Sequence, residues 1–125
     1  MGNITTQVRS GSSVKLMNAP IPEDQILEGE AKARMWISAQ SPDLKVTQGV
    51  WDCTAGKFTW NYTWDEFVFV LEGEATVVDE GGESRTFKAG DFANFPVGLS
   101  ATWHVPEYIK KTFVLRTPEP LELYA

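Results

Sequence analysis

Short strand-like runs separated by turn residues are the feature that most limits the folds open to this chain. Between residues 31 and 116, runs rich in aromatic and β-branched residues alternate with Gly, Pro and Asp turn signals. Many short strands at regular spacing, without a long amphipathic helix, are typical of an antiparallel sandwich or barrel. The sequence therefore predicts an all-β antiparallel domain with strands at residues 33–37, 46–54, 58–62, 67–71, 75–78, 85–87, 92–95, 101–105 and 109–116.

The chain divides into an N-terminal arm and one domain. Residues 1–30 are rich in Ser, Thr, Asn and Gly in their first two thirds and show no sustained period, so they predict an extended arm. Within this arm, residues 23–29 favour a single helical turn ended by glycine. Residues 31–125 predict one barrel domain, because a chain of 125 residues is long enough to enclose a hydrophobic core.

Charge and cysteine content exclude several classes of partner. The net charge of −6 argues against nucleic acid, because phosphate binding needs a basic face. No apolar run approaches the roughly 20 residues that span a bilayer, and the N-terminus lacks a secretory pattern. The single cysteine cannot form an internal disulfide, so nothing requires an oxidising compartment. We expect a cytoplasmic protein that binds neither nucleic acid nor membrane.

Two segments in order carry the strongest family signal. Glu66 precedes the turn glycine Gly73 within the run Phe-Val-Phe-Val-Leu-Glu-Gly-Glu, and Gly90 begins the run Gly-Asp-Phe-Ala-Asn-Phe-Pro-Val-Gly. These segments resemble the first and second motifs of the cupins, and the resemblance covers residues 49–116. The small cupins grouped with ureidoglycine aminohydrolase and with the cupin protein of ethanolamine utilisation are similar in further motifs, which here are Trp60-x-Tyr62-x-x-x-Glu66, Phe95-Pro96-x-Gly98-Leu99, Thr102-Trp103-x-Val105 and Lys110-Lys111. The resemblance implies a double-stranded β-helix, the jelly-roll barrel, with a pocket at its open end.

The metal ligands of that family are mostly replaced here. A metal-binding cupin supplies two histidines and a glutamate from the first motif and one histidine from the second. In this sequence those positions carry Trp60, Tyr62, Glu66 and Ala101. One carboxylate cannot hold a first-row metal tightly, and the only histidine, His104, is expected to face outward by the two-residue period of its strand. We therefore predict no metal and no cofactor.

Glu66 is the main candidate for a functional residue. Strand periodicity places it on the inward face with Val68 and Val70, where lost hydration raises a carboxyl pKa unless a cation or several donors hold the charged form. Such a group can act as a general acid or base, with Tyr62 orienting the substrate. The alternative is a structural glutamate bonded to Tyr62 or to an indole N–H.

The other predicted pocket residues have a functional and a structural interpretation. Trp60, Trp51 and Trp103 can line a ligand cavity or fill the barrel, and Ala101 is assigned to the same wall. Cys53 is expected to face inward near Trp51, most often as a packing residue. Lys111 can pair with an acidic residue at the pocket mouth or be solvated, the commoner situation. The sequence does not determine whether the Arg34 side chain points into the barrel or away from it.

Three functions remain compatible with the sequence. The first is a metal-independent enzyme acting on a small metabolite, and the second is a non-catalytic binding or accessory module. The third is a metal enzyme with atypical ligands, such as Glu66 with Cys53 or His104. The aromatic walls predict a small ligand that is partly apolar, cationic or hydrogen-bonding. Separately, the apolar face of Phe67, Phe69 and Leu71 predicts a homodimer, as the resemblance also implies.

Overall fold

Eight strands account for most of the computed structural model, which describes residues 4–123. They are β1 (Met17–Asn18), β2 (Ile26–Gly29), β3 (Ala33–Gln40), β4 (Val46–Asn61), β5 (Asp65–Asp79), β6 (Ser84–Lys88), β7 (Phe92–Phe95) and β8 (Ser100–Arg116). Two short 3-10 turns, Gly11–Ser13 and Glu23–Gln25, are the only helical segments among these described residues. None of the helices within residues 4–123 has the length and apolar character to cross a membrane.

All strand pairs are antiparallel, and they form one continuous eight-stranded sheet with two halves. The first half of β4 pairs with β3 and with the second half of β8, which continues to the first half of β5 and then to β7. The second half of β4 pairs with β2 and with the first half of β8, which continues to the second half of β5 and then to β6. The three long strands β4, β5 and β8 thus run through both halves. The predicted all-β antiparallel fold is confirmed, and its arrangement is a jelly roll.

The long strands correct the predicted strand boundaries. Breaks predicted near Gly56, Gly73 and Pro106 are bends inside continuous strands, marked by register shifts between Thr54 and Gly56 and around Gly73. Gly73 has φ +74°, and a Cβ at this position would lie 1.9 Å from the carbonyl oxygen of Tyr108. The strands can bend here because glycine has no side chain and lets the two backbones approach closely. Turn-type residues at these positions therefore mark bends within strands rather than strand ends.

The N-terminal arm is partly built into the domain, contrary to the predicted boundary at residue 30. β1 pairs with β3 through Met17 and Met35, and β2 pairs with β4 through Ile26 and Phe58. Between them Ile21 is 6% exposed. The helical turn predicted at residues 23–29 is a 3-10 turn followed by strand β2. The ends of the two predicted units, residues 1–3 and 124–125, lie outside the described residues.

Aromatic rings centred on Trp103 fill the interior beside the cavity described below. The Trp103 ring lies parallel to Phe58 at 5.9 Å, and it meets Phe87 and Phe95 at 5.4 and 5.5 Å between ring centroids. Such contacts bury large apolar areas and fix the orientation of each ring. Trp103 itself is only 2% exposed. It also forms part of the cavity wall.

Candidate functional site

A cavity of about 360 Å³ lies among interior residues of the barrel and is partly open to solvent. Its walls are mainly aromatic and aliphatic, and its polar side chains are few. The aromatic part of the lining consists of Trp51, Phe58, Trp60, Tyr62, Trp64, Trp103 and Phe113. Charged side chains in the wall are Glu66 and Lys111. A concave, largely apolar site with a small number of polar groups is the usual form of a small-molecule site.

Glu66 and Lys111 form a buried ion pair in this cavity. Their side chains are 7% and 6% exposed, and Lys111 Nζ donates a hydrogen bond to Glu66 Oε2. Neighbouring strands bring them together, since β5 carries Glu66 and β8 carries Lys111. The indole of Trp64 donates to the other carboxylate oxygen, with 3.0 Å between Nε1 and Oε1. A cation and an indole N–H group therefore satisfy one carboxylate oxygen each, through hydrogen bonds that the negative charge strengthens.

Three aromatic rings surround the Lys111 ammonium. Its Nζ atom lies 4.6 Å from the ring centroid of Trp51, 5.1 Å from that of Trp103 and 5.8 Å from that of Phe95. These distances are within the range of cation–π attraction, which is strongest for desolvated cations. The sequence left two alternatives open for Lys111, and the commoner one, a solvated side chain, is not what the structure contains. Pairing with an acid was the alternative, and that acid is Glu66.

Tyr62 is fixed by hydrogen bonding and stacking. Trp103 Nε1 donates to its hydroxyl oxygen at 3.0 Å, and its ring stacks on Phe95 at 4.9 Å. Burial, followed by the negative charge of Glu66, raises the pKa of Tyr62 well above its ordinary value. The phenol therefore stays protonated at neutral pH and serves as a neutral hydrogen-bonding group rather than as a base.

Several cavity residues were missed by the sequence interpretation. Trp64 follows the same two-residue period as Glu66 and Val68, so the pattern contained a signal for it. Its ring lies 6.4 Å from that of Trp60, which the sequence had placed in the wall. The terminal segments also contribute lining residues, which are Ala19, Pro20, Leu121 and Leu123. They pack on the barrel through contacts distant in sequence, such as the hydrogen bond from Leu121 N to Leu44 O at 2.8 Å.

Two predicted wall residues lie elsewhere. Cys53 and Ala101 are 0% and 5% exposed, but neither lines the cavity. Burial, and then the charge of Asp52, raises the pKa of the Cys53 thiol to about 12. Both side chains face the barrel interior as expected, but they lie in its packed part.

Arg34 faces away from the cavity. Its guanidinium donates to the carboxylate of Asp52, with 3.0 Å from Nε to Oδ1, and Tyr108 donates to the same carboxylate at 2.7 Å. Asp52 precedes the interior residue Cys53, so this polar cluster lies on the outer side of the sheet. His104 is exposed, as its strand period predicts.

The residues that remain do not fit the metal site of the family. Within residues 4–123, no group of three or more His, Cys, Asp or Glu side chains is placed to hold a metal ion. Glu66 stands alone among the four expected ligand positions, and the ammonium of Lys111 supplies the positive charge beside it. A carboxylate already neutralised in this way offers little to a divalent cation.

Comparison with solved structures identifies similar jelly rolls. A putative ethanolamine utilization protein Q from Salmonella typhimurium is 28% identical with a TM-score of 0.73, covering 92% of this chain and 86% of its own. The EutQ protein of Clostridium difficile is 18% identical with a TM-score of 0.63, covering 79% of this chain and 81% of its own.

A longer relative shares the fold alone. A DUF861-family protein of unknown function from Pseudomonas syringae is 20% identical with a TM-score of 0.76 over 82% of this chain. The present chain spans only 45% of that protein. A comparison with curated proteins gives no match.

The family model described as the EutQ-like cupin domain matches residues 40–113, which contain both motif segments and the Glu66–Lys111 pair. These residues form more than half of the chain, and the chain therefore belongs to the EutQ-like cupin family.

Proposed function

We propose that the cavity binds a small, uncharged and largely apolar metabolite through one oxygen atom that accepts a hydrogen bond from Lys111. The observation that carries this proposal is the buried Lys111–Glu66 pair inside an otherwise apolar cavity of about 360 Å³. Apolar walls favour ligands that leave water readily, and the pair gives such a ligand a single polar anchor.

The balance of charge favours an uncharged ligand. The carboxylate of Glu66 and the ammonium of Lys111 cancel each other, so a ligand carrying net charge would bring an uncompensated charge into a desolvated site. A cationic ligand, which aromatic walls otherwise suit, would meet the Lys111 ammonium already lying 4.6 Å from the Trp51 ring. The cationic ligand considered from the sequence is therefore disfavoured.

The free hydrogen-bonding capacity of the site favours an acceptor on the ligand. A lysine ammonium has three donors, and Glu66 uses one of them. The Tyr62 hydroxyl accepts from Trp103, which leaves its own proton available for donation. A hydroxyl or carbonyl oxygen on the ligand satisfies these donors, whereas a hydrocarbon would leave them unpaired.

A fluorinated probe tests this proposal directly. We expect 4-fluorobenzyl alcohol to bind with a Kd at or below about 1 mM, equivalent to about −4 kcal/mol. Binding is measured as broadening and shift of the ¹⁹F resonance on addition of protein. Benzoate and benzylamine, which carry the same ring with a charge, should compete at least several-fold more weakly than benzyl alcohol.

Matched variants locate the binding. Ala19 lines the cavity from the N-terminal segment and is partly exposed, so the larger side chain of Ala19→Trp should occupy part of the cavity while the barrel stays folded. Val97 is 50% exposed and does not line the cavity, so Val97→Trp is its control. Loss of the ¹⁹F effect in the first variant alone supports the proposal. Equal binding by both variants, or no binding by the wild type, contradicts it.

A further inference from the structure

We propose that Lys111 forms an imine with small aldehydes that enter the cavity, so that the site captures a carbonyl compound covalently and reversibly. This inference rests on the proposed function, because the aldehyde must first occupy the same cavity. It adds a chemical step and restricts the ligand oxygen to that of an aldehyde.

The position of the amine is the first reason. Lys111 contributes the only primary amine among the cavity-lining side chains that the structure describes. The next residue toward the N-terminus, Lys110, points to the other side of β8, where its Nζ atom lies 3.9 Å from Glu72 Oε2. The two neighbouring lysines therefore differ in location while sharing strand and sequence context.

The second reason is the adjacent carboxylate. Only the unprotonated amine attacks a carbonyl carbon, so the ammonium must first lose a proton. Glu66 Oε2 already accepts the hydrogen bond from Lys111 Nζ, so the proton has an acceptor in place. In a desolvated cavity this transfer removes both charges at once and leaves a neutral amine beside a neutral acid.

The resulting step is balanced in atoms and protons. The amine nitrogen adds to the carbonyl carbon, a proton moves from nitrogen to oxygen, and a carbinolamine forms. Glu66, now a carboxylic acid, returns its proton to the hydroxyl group, the C–O bond breaks and water leaves. The product is a protonated imine on Lys111 beside the Glu66 carboxylate, so the original ion pair is restored with the ligand attached.

The surrounding rings favour an aldehyde over a ketone. Indoles of Trp51 and Trp103 and the ring of Phe95 lie with their centroids within 5.8 Å of Nζ. A tetrahedral carbinolamine carries a hydrogen in the aldehyde case and a second carbon substituent in the ketone case. The smaller group fits beside three rings, and the remaining substituent extends into the apolar cavity.

Reductive trapping tests the inference. The full chain is incubated with 4-fluorobenzaldehyde and sodium cyanoborohydride, and the modified residues are identified by peptide mass spectrometry. We expect one secondary-amine adduct, at Lys111, formed faster than at Lys110 or any other lysine. Glu66→Gln should slow this labelling by about 100-fold, the usual size of a lost acid–base group. Adducts spread over exposed lysines, with Lys111 unlabelled, would overturn the inference.

Substitution of Lys111 needs a variant that retains folding. Lys111→Arg keeps a cation beside Glu66 but cannot form an imine under these conditions, and Lys110→Arg is its matched control. Circular dichroism and thermal melting show whether each variant is folded. We expect the cavity adduct to vanish in the first variant and persist in the second. An undiminished fast adduct in folded Lys111→Arg would place the chemistry elsewhere.

The two proposals can fail separately. If 4-fluorobenzyl alcohol binds and the aldehyde gives no Lys111 adduct, imine formation is wrong and the binding function stands. If the aldehyde labels Lys111 while the alcohol does not bind, the reactive amine is supported, and the cavity admits aldehydes only by covalent capture, so the proposed binding of uncharged ligands through a hydrogen-bonded oxygen is wrong. If neither occurs, both are wrong.

Discussion

Glu66 and Lys111 neutralise each other inside the barrel, with side chains that are only 7% and 6% exposed. Their hydrogen bond joins residues 45 positions apart in the chain. Each charge is tolerated in an apolar cavity because the other is present, and removing one leaves a buried charge without compensation.

The energetics of this pair give the first prediction. Lys111→Met or Glu66→Met should each lower the free energy of unfolding by about 3–5 kcal/mol, because each leaves one charged partner unpaired. The double variant Lys111→Met with Glu66→Met should recover most of the loss. Guanidinium denaturation of all four proteins measures the coupling. Simply additive effects would show that the pair does not act as a unit.

The strand bend at Gly73 gives the second prediction. Gly73→Ala should destabilise by about 2–5 kcal/mol, from left-handed backbone strain together with the clash against Tyr108 O. Gly82 has φ +86° but open space around its Cβ position, so Gly82→Ala should cost only the strain, about 1–2 kcal/mol. Thermal or denaturant unfolding measures both. Equal losses would mean that the close approach contributes nothing.

Cys53 should be inert in the folded protein. Burial and the Asp52 charge raise the pKa of its thiol to about 12, so little reactive thiolate exists at pH 8. We expect no reaction with Ellman's reagent until the chain is unfolded in guanidinium, when one thiol per chain reacts. Since the pKa of this thiol in the folded protein lies above its ordinary value of 9.0, the thiol should also reduce stability as pH rises from about 9 toward 12. Rapid labelling of the native protein would contradict both expectations.

Asp52 should contribute to acid unfolding. Burial opposes its ionisation, but hydrogen bonds from Arg34 and Tyr108 outweigh this and leave the pKa of Asp52 below its ordinary value of 3.8. With the folded pKa depressed, the stabilisation is fully present above the unfolded pKa and is lost as pH falls through the folded value. Asp52→Asn should therefore lower stability at pH 7 and flatten its decline below pH 4. Parallel wild-type and variant curves would contradict this assignment.

The homodimer stays a prediction from the sequence. Phe92 and Phe67 are 82% and 55% exposed, and Phe92 contacts Phe69 at 4.7 Å between ring centroids, which forms an apolar patch. We expect light scattering to give a dimer that Phe92→Glu converts to a monomer, because the charge would be buried at the contact. Leu27→Glu, at a residue 53% exposed on β2, is the control. A monomeric wild type would contradict the prediction.

Local sequence patterns determined which segments form strands and which way most side chains face. The period of two placed Glu66, Val68 and Val70 inward, and they are 6%, 4% and 0% exposed, while Phe67 and Leu71 are 55% and 41% exposed. This works because alternation along a strand is a local property of the backbone. The jelly roll itself was implied by the resemblance of the two motif segments to those of the cupins, since the strand pattern alone predicted only an antiparallel sandwich or barrel.

Only the tertiary structure decided which charges meet and where the cavity lies. Periodicity placed Glu66 inside the barrel, but it did not identify the residue beside it. That neighbour depends on the register between strands, and a shift of two residues changes the neighbour while the same side chains still face inward. The register between β5 and β8 places Lys111, rather than solvent, beside Glu66. Pairing between distant segments also keeps the long strands continuous where the sequence predicted breaks. Packing of the chain ends, which bring Ala19 and Leu121 to the cavity wall, depends in the same way on contacts remote in sequence. The alternation of inward and outward side chains depends only on neighbouring residues along a strand. Charge pairing and cavity shape depend on close packing among residues that are distant in the sequence.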